Sequence, residues 1–93
     1  MASDDALELL KSDPVAVSIG RSVAVANRQA CADAFDTEGH EVRIRCSATG
    51  EGIALWRIDY VPVPAPGDFT RRGGYMVEVN SETGAVYRAL RGQ

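Results

Sequence analysis

The segment PVAVSIGRSVAVANRQACADAF (residues 14–35) determines which architecture the rest of the chain can build. Its apolar residues recur every three or four positions and occupy one arc of about 100° on a helical wheel. This stripe contains Val15, Ile19, Val23, Ala26, Ala30 and Ala34, and the opposite face contains Ser18, Arg21, Ser22, Arg28 and Gln29. Alternating valines would also suit a strand, and Gly20 weakens a helix, but the helical period persists along the whole segment. Asp13 and Pro14 are a typical helix start. We therefore expect a helix over residues 14–35.

Length, composition and charge limit the protein to a single domain over residues 1–93, with one modest core. A short helix is expected over residues 3–11, before the long one. The net charge of −3 argues against binding to nucleic acid. No apolar run approaches the ~18 residues that cross a bilayer, and the first residues are acidic rather than basic. We therefore expect a cytoplasmic protein without a membrane partner.

The second half of the chain has the alternating pattern of antiparallel strands. Strands are expected over residues 40–48, 53–61, 75–80 and 85–90. A proline-rich loop over residues 62–72 separates the second strand from the third, because prolines remove backbone donors that a central strand needs. Gly84 is expected in the left-handed conformation of a hairpin turn with a bulge. That bulge leaves the facing of the last strand open, and an inward Val86 and Leu90 would put Arg88 at the rim of the sheet.

These elements predict an α+β fold, in which one short and one long N-terminal helix pack on a four-stranded antiparallel meander sheet. The apolar stripe of the long helix is the only one long enough to cover a face of the sheet. That face would contain Val42, Ile44, Trp56, Ile58, Tyr60 and Val77. The opposite face would contain Arg43, Arg45, Arg57, Asp59 and Glu78, joined by cross-strand ion pairs. It is either solvated or a surface for a partner.

The C-terminal half resembles a known family. The strand LWRIDY (residues 55–60), a loop with prolines, Gly73-Gly74 and the hairpin VEVNSETGAV (residues 77–86) are similar to the tail of the NTF2-fold immunity-protein family. The same hairpin also resembles PepSY-type and related small cystatin-like domains. The resemblance covers about 40 of the 93 residues. It implies a cystatin-like or NTF2-like two-layer fold and a non-catalytic protein that binds and neutralises or regulates a protein partner.

We therefore expect a non-enzymatic domain that binds a protein partner through the long loop and the arginine-rich face. The expected contact residues are Phe69, Arg71 and Arg72 in the loop, and Arg43, Arg45 and Arg57 on the sheet. Arginine and aromatic side chains are frequent hot spots of interfaces, and prolines lower the cost of ordering a loop. Arg71 and Arg72 beside Gly73-Gly74 would also suit an anion, although the glycines alone are explained by the entry into a strand.

An alternative is a small-ligand pocket between helix and sheet, lined by Trp56, Tyr60 and Tyr75, where the alanines of the helix leave room. Assembly is a separate question, and a homodimer by edge or face pairing is also expected, since four strands leave edges exposed.

Catalytic and metal chemistry have little support. His40 is the one histidine, flanked by the carboxylates Glu38 and Glu41, but it lacks a serine or cysteine nucleophile in a recognisable motif. We expect a surface histidine, no cofactor and no metal. Cys31 and Cys46 are expected to be small buried residues, with a single disulfide between them as the alternative.

Overall fold

A computed structural model describes residues 2–63, 67 and 73–92 of the chain. Within these residues, two helices precede four strands, which pair antiparallel in the order β1-β2-β3-β4. The elements are α1 (Ala2–Ser12), α2 (Pro14–Ala32), β1 (His40–Ala48), β2 (Ala54–Pro62), β3 (Tyr75–Asn80) and β4 (Val86–Arg91). The predicted α+β fold, with helices packed on a meander sheet, is confirmed. Neither described helix is both long and apolar enough to cross a bilayer.

The start of α2 confirms the prediction from Asp13 and Pro14. Asp13 has an extended backbone, and its Oδ2 accepts a hydrogen bond from the Ala16 backbone N–H at 2.9 Å. Pro14 occupies the first turn, where its missing N–H costs nothing. The Asp13 N–H also donates to the Leu9 carbonyl at 2.8 Å, so α1 passes into α2 with one residue between them.

The end of α2 lies three residues before the predicted limit, at Ala32. The next two residues close the helix with a Schellman motif. Ala34 adopts a left-handed backbone (φ 56°), and its N–H donates to the Cys31 carbonyl at 3.0 Å. The Phe35 N–H reaches back to the Ala30 carbonyl at 2.8 Å. This geometry turns Phe35 into the core, where it packs with Ala30.

The buried face of α2 differs from the predicted stripe. Ser22, Ala26 and Ala30 are completely buried, whereas Val15 is 57% exposed. The prediction placed Ser22 on the solvent side, and this was wrong. At 100° per residue Ser22 lies only about 40° from Ala26, so it belongs to the buried arc, and the small residues of this arc let the helix approach the sheet closely. Val15 lies on the same arc but in the first turn of α2. Ser18 helps to fix the position of the helix, since its hydroxyl donates to the Ser81 carbonyl at 2.7 Å and accepts from Trp56 Nε1 at 2.8 Å.

The core lies between α2 and the two central strands. It contains Ala26, Ala30, Ile58, Tyr60, Tyr75, Val77 and Val79, with Val23, Val25, Phe35, Trp56 and Ala89 partly buried around it. Helix α2 lies over β2, β3 and β4, and α1 packs against α2. Strand β1 pairs along its whole length with β2 but projects beyond this cover.

The hairpin between β3 and β4 confirms the left-handed Gly84, which has a φ of 77°. The bulge lies beyond the turn, because Val79 pairs with Val86 while the preceding Glu78 pairs with Arg88. Tyr87 is therefore the extra residue, and it reverses the facing of the residues that follow. The facing that the sequence left open is therefore Ala89 inward, since Ala89 packs on the core and Leu90 is 49% exposed.

Both cysteines are exposed, and they are free thiols. The prediction of two buried cysteines was wrong for two different reasons. Cys31 follows the buried Ala30 and so lies about 100° around the helix from the packed face. Cys46 shares the apolar face of the sheet with Trp56, its partner across the strands, but lies on β1, which α2 does not cover.

Candidate functional site

Strand register places the predicted sheet arginines on one face. Arg43 pairs with Asp59, and Arg45 pairs with Arg57, so all these side chains alternate away from the helices. Asp59 on β2 pairs with Met76 on β3, and Met76 pairs in turn with Leu90 on β4. We call the surface formed by Arg43, Arg45, Arg57, Asp59, Met76 and Leu90 the open face. No described helix lies on it.

Ion pairs hold the open face in a defined geometry, as the sequence predicted. Asp59 Oδ2 accepts from Arg45 Nη2 at 3.0 Å, and Asp59 Oδ1 lies 3.2 Å from Arg57 Nε. The Asp59 side chain is 13% exposed, whereas that of Arg45 is 64% exposed. One nearly buried carboxylate therefore orients two guanidinium groups, and one positive charge of this cluster is not neutralised.

Glu78 and Arg88 form a second pair beside this cluster. Arg88 Nη2 lies 2.6 Å from Glu78 Oε1, and the carboxylate is almost fully buried. Arg43 is held more weakly than Arg45 and Arg57, because it lies 3.3 Å from Glu41 and both of these side chains are more than half exposed. Of these three arginines, Arg43 is therefore the most free to reach a ligand.

A groove of about 610 Å³ lies on the open face. Its described lining includes Arg43, Arg45, Arg57, Asp59, Met76 and Leu90. Polar guanidinium groups thus lie beside an apolar floor, of which Met76 is buried and Leu90 is half exposed. Positive charge exceeds negative charge in these lining side chains, although the whole chain is acidic. Such a surface suits a segment that offers both carboxylates and an apolar side chain.

Both ends of the long loop reach this groove, because Pro62 and Gly74 line it. The predicted contacts Phe69, Arg71 and Arg72 lie outside the described residues, and their role stays a prediction. Gly74 is explained by packing, as the structural interpretation of Gly73-Gly74 suggested. A Cβ atom at Gly74 would collide with the backbone oxygen of Tyr60.

The aromatic side chains of the alternative pocket reach toward α2, although Tyr60 and Tyr75 also line the groove. The Tyr60 hydroxyl donates to Asn27 Oδ1, and the Tyr75 hydroxyl donates to Asp33 Oδ2. Burial and the Asp33 carboxylate raise the pKa of Tyr75 to about 12, and burial raises the pKa of Tyr60. The hydrogen bond from Tyr75 lowers the pKa of Asp33. These contacts join the sheet to the end of α2, and the pocket itself stays a prediction.

His40 differs from the surface histidine that was expected. Its ring lies 4.9 Å from the Phe35 ring, and Nδ1 lies 3.0 Å from the Glu38 carbonyl oxygen. Its Nε2 is buried without a hydrogen-bond partner among the described groups. Within the described part of the chain, no three His, Cys, Asp or Glu side chains cluster in a way that could hold a metal ion.

Met76, Leu90 and Arg91 are among the lining residues of the groove that sequence reasoning missed. Met76 belongs to the open face by simple alternation from Tyr75, so strand periodicity alone would have found it. Leu90 could not be found in this way, because the bulge at Tyr87 changes the phase of the strand.

Family models, curated proteins and solved structures do not match this chain. The resemblance to immunity-type and cystatin-like domains therefore extends to architecture alone, namely two N-terminal helices on a four-stranded antiparallel sheet.

Proposed function

We propose that this protein is a non-enzymatic binding domain whose open face and adjoining loop hold an acidic segment of a protein partner. An immunity or inhibitor role, in which binding blocks the partner, is the form of this function that the sequence resemblance suggests. The supporting observation is the groove on the open face, where guanidinium groups oriented by Asp59 lie beside an apolar floor.

The geometry favours a segment with a carboxylate because arginine forms its strongest hydrogen bonds with anionic oxygens. Arg45 and Arg57 already share Asp59, so an additional carboxylate would meet donors that are already oriented. Orientation before binding lowers the entropy lost when a complex forms. The half-exposed Leu90 offers apolar surface for burial, which charge pairs at a wet surface do not supply, whereas Met76 beneath it is already buried.

A protein segment fits this surface better than a small anion does. The groove is open to solvent rather than enclosed, whereas sites for small ligands enclose most of the ligand surface. Pro62, the last residue of β2, and Gly74, just before β3, both line the groove.

The test compares two variants with the same change in net charge. Arg43→Gln with Arg45→Gln removes two guanidinium groups but leaves Arg57 to pair with the buried Asp59. Lys11→Gln with Arg28→Gln, on the exposed surfaces of α1 and α2, is the control. Each protein is immobilised, exposed to a lysate of the source organism, and its retained proteins are identified by mass spectrometry.

We expect a protein that the native chain and the control retain and that the open-face variant loses by at least about tenfold, with retention falling as salt is raised. Phe69→Ala and Arg72→Glu, measured in the same way, test whether these loop residues contribute to retention of the partner. Equal retention of all proteins by all variants would refute the open face as the binding surface. A shift of Trp56 fluorescence on titration with a small metabolite, without any retained protein, would favour the alternative pocket instead.

A further inference from the structure

Two apolar surfaces on the helical side of the molecule have no cover. The first is on α1, where Leu7, Leu9 and Leu10 are 49%, 64% and 62% exposed. The second is the β1 strip, formed by Val42 and Ile44, which are 45% and 40% exposed, and the exposed Cys46. Both are distinct from the open face, which lies on the other side of the sheet.

The fold explains why each surface is left bare. Helix α2 lies over β2, β3 and β4 and is too narrow to cover β1 as well. Helix α1 contacts α2 beside the one-residue junction that joins them, and its residues 5–12 are all exposed. The residues of the β1 strip pair directly with Tyr60, Ile58 and Trp56 of the core face. The strip is thus an extension of the core that lacks its second layer.

The accessible surface of the whole chain is larger than that of a compact monomer of the same mass. The chain exposes 6575 Å², whereas a compact monomer of 10.0 kDa exposes about 5,200 Å². Its Cα radius of gyration is 15.0 Å, against about 12 Å for a compact domain of this length. The difference of about 1,300 Å² exceeds the ~800 Å² that each partner buries in a standard interface.

We propose that a second copy of this chain covers the β1 strip with its α1, and that the two copies do so reciprocally around a twofold axis. Such an interface limits assembly to a dimer, because the α1 of each copy covers the β1 strip of the other and leaves neither surface for a third copy. One contact then removes both apolar surfaces from water. The interface completes the helical layer of each sheet with a helix from its partner.

The dimensions of the two surfaces match. From Val42 to Cys46 the strip spans about 14 Å, at about 3.4 Å per residue. Helix α1, with 11 residues, is about 16 Å long. Its leucines and Ala6 lie within about 160° of one another on the helical wheel, so a single approach of the helix can bury most of them.

Edge pairing between two β1 strands fits less well. An antiparallel pair centred on Ile44 would place Arg43 of one copy directly opposite Arg45 of the other. Like charges opposite each other destabilise a strand pair. Because Arg43 and Arg45 lie on the face away from α2, they leave the approach of a helix to the strip free.

The first test is the molar mass of the full chain in solution, measured by light scattering during size-exclusion chromatography. We expect a dimer for the native chain, and a monomer of unchanged helical and strand content for Leu10→Lys and for Ile44→Lys. Tyr87→Lys, a change of an equally exposed apolar residue on the opposite edge of the sheet, should stay a dimer. A monomeric native chain, or a dimer that survives both strip and helix variants, would overturn the proposal.

The second test identifies which surfaces meet. In a Cys31→Ser background, Leu10→Cys adds a thiol on α1 near the proposed position of Cys46 in the partner. Mild oxidation should give a disulfide-linked dimer in this variant and not in Cys31→Ser alone. A disulfide within one chain would show that α1 folds onto its own sheet. An equally linked dimer without the added cysteine would show that the two Cys46 thiols lie against each other, which a helix covering each strip does not allow. Either result would overturn the arrangement proposed.

Discussion

Two serines on α2 illustrate how one residue type is used in opposite ways. The Ser18 hydroxyl joins the Trp56 indole to the Ser81 carbonyl. The Ser22 hydroxyl, one turn later, is completely buried and makes no hydrogen bond with the described groups. A buried hydroxyl without a partner loses its bonds to water and gains nothing in return.

We expect opposite effects when each serine is changed to alanine. Ser22→Ala should raise the free energy of unfolding by about 1 kcal/mol, because it removes an unsatisfied group and improves helix propensity. Ser18→Ala should lower it by about 1 kcal/mol, because it leaves the Trp56 N–H without its acceptor. Urea denaturation measures both, and a loss of stability in Ser22→Ala would contradict the assignment of an unpaired hydroxyl.

The contact between Tyr75 and Asp33 makes stability depend on pH at both extremes. The pKa of Tyr75 is raised, chiefly by burial, from 10.0 to about 12. A raised pKa stabilises the fold fully below the unfolded value, and this contribution is lost as pH rises from 10 to 12. The pKa of Asp33 is lowered below 3.8, so its contribution is present above that value and is lost as pH falls through the folded pKa.

Tyr75→Phe should therefore lower the free energy of unfolding by about 1 kcal/mol at neutral pH, since it removes the hydrogen bond to Asp33. It should also reduce the alkaline loss of stability, because the residue can no longer ionise. Chemical denaturation at a series of pH values from neutral to alkaline measures both effects. Tyr87→Phe, a change at an exposed tyrosine, is the control, and an alkaline loss that is equal in Tyr75→Phe and the native chain would contradict this account.

At the scale of the elements, the end of α2 determines where the aromatic cluster forms. Ala34 has the left-handed backbone that glycine normally supplies at this position of a Schellman motif. The turn brings the Phe35 ring to 4.9 Å from the Tyr75 ring, and the Arg91 guanidinium carbon lies over the Phe35 ring, 5.6 Å from its centroid. The left-handed backbone of Ala34 is thus what lets Phe35 pack into the core at this end of α2.

Ala34→Gly should raise the free energy of unfolding by up to about 1 kcal/mol, because glycine relieves about 1–2 kcal/mol of left-handed strain at a smaller entropic cost. The same substitution at Ala24, an exposed residue in the middle of α2, is the matched control. Ala24→Gly lies in regular helix and should lower stability by about 1 kcal/mol. Thermal unfolding distinguishes the two, and a loss in both would mean that Ala34 is not strained.

The elements that follow from local chemistry were predictable from the sequence. The cap at Asp13, the strand alternation and the arginine-rich face depend on neighbouring residues, and the structure places them as expected. The burial of Ser22, the exposure of Cys46 and the facing of Leu90 depend on how the helices and strands pack against one another. Ser22 was assigned to solvent because it is polar, whereas its small size decided its burial.

For the molecule as a whole, the two sides of the sheet have different physical characters. The open face is ordered by charge pairs and suits an acidic partner, while the β1 strip and α1 leave apolar area in water. Separate surfaces allow a dimer to present two open faces at once. Two linked sites bind a partner with two acidic segments more tightly than either site alone does, provided that the geometry lets both engage.

The proposed dimer predicts that stability depends on protein concentration. Because association favours the folded state by mass action, the midpoint of thermal unfolding should rise as the native chain is concentrated. Ile44→Lys should remove that dependence, since it places a charge in the interface and leaves a folded monomer. Arg43→Gln with Arg45→Gln should keep it, because these side chains lie on the opposite side of the sheet. A midpoint of the native chain that does not change over a hundredfold range of concentration would contradict the dimer and leave the open-face proposal standing.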